Sequence, residues 1–177
     1  MPLTTLTPRA YETITTWDVE RGTGLEFTCI PTGAPASATW PSANLAIACP
    51  IYIDSYGTVV KLWTANGATA SGNFDIGLYD ESFNKLVSIG ATAQSGTATI
   101  QVFDVADTQV RPGRHYLVAS SSAATGTLLR VSPGTAYLRA LGYFQMAAAH
   151  PLPSTLTPAA IASSYAPLMG LTYRATI

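Results

Sequence analysis

Ser71-Gly72-Asn73-Phe74-Asp75-Ile76-Gly77-Leu78-Tyr79-Asp80 decides the fold of this chain. Side chains in an extended strand alternate between two faces. Phe74, Ile76 and Leu78 therefore share one face, and Asn73, Asp75, Gly77 and Tyr79 share the other. The result is a strand with one dry face and one wetter face. A turn-rich stretch follows (Glu81-Ser82-Phe83-Asn84), and 85–89 is extended again.

The same alternation recurs on both sides. Ile47, Cys49, Ile51 and Ile53 fall on one face, with Pro50 among them. Proline cannot donate a ladder hydrogen bond, so this strand is expected at an edge or with a bulge. Residues 58–64 follow, and Asn66-Gly67 reads as a turn dipeptide. In 97–103, Ala98, Ile100 and Val102 alternate with Thr99 and Gln101. Arg111-Pro112-Gly113-Arg114 reads as a tight turn. It launches 115–120, and 127–131 forms a further strand. Met169, Leu171 and Tyr173 give a final one. Strands 10 to 15 residues apart, without a long amphipathic helix, predict an all-β fold. We expect an antiparallel, jelly-roll-like β-sandwich of about seven to nine strands over residues 45–177. Residues 1–44, rich in Pro, Gly and Thr, are expected as an extended N-terminal arm. Residues 134–150 fit a short helical turn followed by extended chain.

Composition narrows function by exclusion. Of 177 residues, 11% are charged, with 9 basic against 10 acidic. That balance offers no electrostatic footprint for nucleic acid or for an anionic membrane. So little charge gives a lone monomer weak colloidal protection: either Thr, Ser, Asn and Gly supply the polar surface, or much of the surface lies against other copies or other proteins. Cys29 and Cys49 fit no zinc template and are expected as reduced, partly buried thiols. The N-terminus lacks the pattern of a secretory signal.

Catalytic chemistry finds little foothold. A serine nucleophile needs a base and an orienting acid. No Gly-x-Ser-x-Gly elbow is present, and the two histidines read as a strand residue (His115) and a solvated loop residue (His150). The acids around Asp75, Asp80, Glu81, Asp104 and Asp107 read as loop-solvating groups rather than a glycosidase pair. No metal or cofactor motif appears, and the chain is expected to be no enzyme. Trp17, Tyr143, Phe144 and Met146 sit in segments poorly explained as core and are the candidate interface residues. Among the aromatics that could stack on a sugar ring, including Trp40, Tyr52 and Tyr56, the best candidates are Trp63 and Tyr79.

Four segments, in this order, resemble small virion β-sandwich proteins of tailed bacteriophages. They are Trp40-Pro41-Ser42-Ala43-Asn44-Leu45-Ala46, the opening stretch 71–80, Arg111-Pro112-Gly113-Arg114-His115-Tyr116-Leu117, and Pro151-Leu152-Pro153 before a last strand. The resemblance spans roughly residues 40–175 and carries over no catalytic residue. It implies a neck, tail or capsid appendage component that works through packing against other virion proteins and copies of itself. Assembly in the bacterial host cytoplasm would suit the thiols. The alternative is a carbohydrate-binding module reading a host-surface glycan.

Overall fold

The computed structural model describes residues 33–175, together with the strands Thr16–Trp17 (β1) and Leu25–Thr28 (β2). The following strands are Ala36–Thr39 (β3), Ala46–Ile53 (β4), Gly57–Ala65 (β5) and Asn73–Tyr79 (β6). Lys85–Ser88 (β7), Thr92–Ala93 (β8), Ile100–Val110 (β9), Gly113–Ser121 (β10) and Thr127–Val131 (β11) continue the chain. A six-residue helix, Thr135–Ala140 (α1), is its only α-helix among the described residues. Phe144–Met146 (β12), Ala159–Ala160 (β13), Ala166–Pro167 (β14) and Met169–Ala175 (β15) complete it.

The architecture is an all-β, antiparallel sandwich. One sheet runs β1-β2-β15-β5-β9; the other runs β13-β12-β4-β10-β6-β7, with β8 also on β6. A small third sheet, β14-β11-β3, adjoins them. The main core holds the inward faces of both large sheets. Ile47, Cys49, Ile51 and Ile53 come from β4, Phe74, Ile76 and Leu78 from β6, and Leu62, Leu171 and Tyr173 from the opposite sheet. The alternation in β4, β6 and β15 thus describes a real face in each case.

Four features depart from the sequence reading. First, β3 pairs with β11, and Trp40 lies in the main core, so the packed fold begins before residue 45. Second, β4 is flanked on both sides, by β10 and β12. Yet β12 covers only Ala46 to Ala48, so Pro50 sits where that side of the strand has become an edge. Third, Asn66-Gly67 is no exposed hairpin turn: Asn66 is buried and bridges to Leu128. Fourth, β9 runs on to Val110, and its phase, which the alternation left open, puts the apolar stripe of Ile100 and Val102 outside. Phe103 and Val105 pack against the core, and a period of two then turns Ile100 and Val102 outward.

The wetter face of β6 is not wet. The chain from 147 to 158 lies over the outer face of the second sheet and seals it. Ala149, Leu152 and Leu156 close a second apolar cluster with Ala46, Ala48, Tyr79, Tyr116 and Val118. Main-chain bonds anchor this roof, from Ala149 N–H to Asn44 O (2.7 Å) and from Leu156 N–H to Phe83 O (3.0 Å).

Candidate interaction surface

The roof removes several residues from consideration as binding groups. Tyr79, expected to offer its ring to a sugar, is fully buried and donates its hydroxyl to Pro153 O at 2.5 Å. Burial also pushes its phenol pKa well up. Tyr143 belongs to the main core. Phe144 meets Phe83 and Tyr116 edge-on, with ring centroids 5.5 and 6.0 Å apart, and Met146 packs on the same cluster. Tyr143 is thus taken up by the core, whereas Phe144 and Met146, on β12 beside β4, pack inward but remain part-exposed. The side chain of Trp17 lies outside the described residues, as does Cys29; Cys49 is buried.

Beneath the roof lies a polar cluster that sequence spacing could not reveal. Ser120 and Asp75 are cross-strand partners on β10 and β6. Ser120 Oγ lies 3.0 Å from His150 Nδ1, and Asp75 Oδ2 accepts the Leu152 N–H at 2.9 Å. Lys85 Nζ donates to Leu152 O at 2.7 Å. Serine, histidine and aspartate thus meet, but not as a nucleophilic relay. The hydroxyl of Ser120 is sealed from solvent, and the hydrogen bond of Asp75 goes to the roof backbone. Their shared effect is to pin the roof to the sheet. The signal was hidden because 77 residues separate Asp75 from Leu152.

Burial raises the Asp75 carboxyl above its ordinary 3.8, while the Leu152 N–H, Lys85, Ser88 and His150 pull it down. The folded state therefore holds this proton more tightly than the unfolded chain. The stabilisation is fully present below 3.8 and is lost as pH rises through the folded value. Asp75→Asn retains an acceptor for Leu152 and abolishes the ionisation. Relative to the parent, its melting temperature should be higher near pH 7 than near pH 3.5, where the carboxyl is largely protonated anyway. Melts at the two pH values check the sign; a relative gain that is larger in acid contradicts it.

Exposed apolar and aromatic surface lies elsewhere. Ile100 and Val102 are 59% and 48% exposed on β9, the last strand of its sheet. Val102 stands across from the half-buried Trp63 of β5, which on its other side faces Gly170 of β15. One pair along, Lys61 and Asp104 form an ion pair at 3.2 Å. A separate exposed group, Tyr52 and Tyr56, marks the corner where β4 passes into β5. Comparison with protein-family models, with curated proteins and with solved structures found no match for the chain.

Proposed function

We propose that the protein is a non-enzymatic structural subunit of a tailed-phage particle, an adaptor, decoration or fibre-attachment component acting through protein–protein packing. One observation carries the reading: β9 is an eleven-residue strand at the end of its sheet that turns Ile100 and Val102 to solvent. Its second row of main-chain groups has no strand partner among the described residues. Soluble monomers usually blunt such an edge. Here an apolar row, a half-buried tryptophan and a ladder side unpaired among the described residues adjoin one another, which suits strand addition by a copy of the chain or by another particle protein. The low charge of the whole chain and the resemblance of segments 40–46, 71–80, 111–117 and 151–153 to virion proteins support the same reading.

The test is solution mass by light scattering over a wide concentration range. The parent should associate, and Ile100→Lys with Val102→Lys should shift it to monomer with an unchanged melting temperature, because both side chains already face water. A parent that stays monomeric at its highest soluble concentration, and gains no order with other particle components, overturns the reading.

A further inference from the structure

We propose that the roof over the second sheet, residues 147–158, is a proton-linked latch: it opens as one unit while the sandwich beneath stays folded, and ionisation of Asp75 loosens it. The segment runs between β12 and β13 and forms no strand of its own. Three apolar side chains, Ala149, Leu152 and Leu156, hold it to the cluster below, whereas the sandwich rests on the inward faces of two whole sheets. Releasing the roof therefore exposes far less apolar surface than global unfolding, and segments of that kind open first. The entry to the roof is also strained. Ala148 has a φ of 53°, a left-handed conformation that a residue with a Cβ adopts only at a cost.

The remaining fastenings are single polar bonds to separate elements. Ala149 N–H reaches Asn44 O and Leu156 N–H reaches Phe83 O. Lys85 N–H donates to Ser154 O at 2.8 Å, Tyr79 donates its hydroxyl to Pro153 O, and Thr155 donates its own to Asn84 Oδ1 at 3.3 Å. In the middle sits the Asp75 carboxyl, which accepts the Leu152 N–H through Oδ2. Asp75 Oδ1 and His150 Nε2 are buried and have no hydrogen-bond partner among the described residues. Both atoms regain water when the roof lifts, which favours release.

Asp75 is 1% exposed, and ionising it leaves charge on an oxygen that no donor reaches. A proton on Oδ1 removes that charge and leaves Oδ2 able to accept from Leu152. The surrounding groups compensate only in part. Lys85 and Ser88 act on the carboxyl from β7, His150 acts from the roof, Ser120 stands across from it on β10, and Tyr79 shares its strand. Ala46 and Ala48 of β4 bring no charge. Lys85 engages its ammonium on Leu152 O, Ser120 is joined to His150 Nδ1, and Tyr79 is bound to Pro153 O. Asp80, just past the end of β6, is occupied by the Ser82 and Asn84 N–H groups.

The direction of the response follows. Under the closed roof, burial outweighs these partners and holds the carboxyl above 3.8; in the open roof water returns it towards that value. Closure is thus strongest below 3.8, weakens as pH rises through the closed-state value, and levels off above it. Acid fastens the roof. Rising pH frees it to bare the apolar outer face of Ala46, Ala48, Tyr116 and Val118.

Native-state amide hydrogen exchange on the full chain tests this, with rates corrected for the intrinsic pH dependence of exchange. The Ala149, Leu152 and Leu156 amides should share one opening constant, larger than that of the ladder amides of β4 and β10 beneath them. From about pH 4 to about pH 7 that constant should rise about threefold or more relative to the ladder, because each unit between the closed and open carboxyl values is worth about tenfold. Asp75→Asn keeps an acceptor for Leu152 and should flatten the rise. Tyr79→Phe removes the bond to Pro153 and should raise opening at both pH values while preserving the rise. His150→Asn should preserve it as well. Roof amides that exchange only together with the ladder, three unrelated opening constants, or opening indifferent to pH would each overturn the proposal. So would a rise that survives Asp75→Asn or vanishes in His150→Asn. None of these outcomes bears on whether β9 mediates assembly.

Discussion

Replacing Trp40 by alanine should cost about 3–5 kcal/mol of folding stability, the usual range for removing a fully buried tryptophan. Trp40 is 1% exposed and stands where three parts of the fold meet. Its ring meets Phe74 of β6 edge-on at 5.6 Å and Tyr165 at 5.3 Å. Its indole N–H donates to Leu45 O at 2.9 Å, and its backbone N–H to Gly126 O at 3.1 Å. Tyr165 in turn donates its hydroxyl to Ala38 O at 2.9 Å and lies under the Arg130 guanidinium at 5.5 Å. Alanine would open a cavity bordered by both aromatic partners and leave Leu45 O without its donor. Trp40→Phe retains part of the ring contact but loses the N–H and one ring's worth of packing, so it should cost less than alanine, roughly 2–3 kcal/mol. Denaturant unfolding of both variants checks the order. A loss below about 1 kcal/mol for alanine would mean that the segment before residue 45 is peripheral after all.

That outcome also bears on what the amino-acid order could reveal. Period-two stripes were readable in β4, β6 and β15 because a strand's two faces are written directly into alternate positions. Trp40 was not readable as core, since it sits between Thr39 and Pro41 in a proline- and serine-rich stretch with no stripe of its own. The roof was hidden for a related reason. His150-Pro151-Leu152-Pro153 looks like loop because it forms no ladder of its own. Its burial depends on Asp75, Lys85 and Tyr79, all more than 60 residues away in sequence. With the roof unseen, Tyr79 looked like an open platform and His150 like a solvated base. In β9 the stripe was visible but its phase was not, because either face of an isolated strand could be the inner one. Of the aromatics that could meet a ligand, Tyr52 and Tyr56 proved the exposed pair.

The other large effect is expected at Asn66, which replaces a hairpin turn with a buried amide hub. Its Nδ2 donates to Ser95 O at 2.7 Å, to Gly96 O at 3.1 Å and to Gln101 Oε1 at 3.0 Å. Its Oδ1 accepts from Gln94 Nε2 at 3.1 Å, and the same nitrogen donates to Thr127 O at 2.7 Å. Gln94 Oε1 accepts the Ser71 N–H at 3.0 Å, and Gln101 Oε1 accepts the Ser95 N–H at 2.9 Å. Three side-chain amides thus tie the loop 92–101 to the end of β5 and the start of β11. A buried network of this kind is stabilising only while every member is paired. Asn66→Leu keeps a similar volume but removes the bonds to Ser95 O, Gly96 O, Gln101 Oε1 and Gln94 Nε2, each worth about 0.5–1.5 kcal/mol, so a total loss of roughly 3–4 kcal/mol is expected. Asn66→Asp isolates the cause, because it nearly preserves shape while exchanging two donors for a buried charge; it should be at least as damaging at neutral pH. Gln94→Leu should cost less than the sum rule predicts when combined with Asn66→Leu, since the two share one bond. Strict additivity in that double-mutant cycle would show that the amides act separately and that the hub is only an arrangement of neighbours.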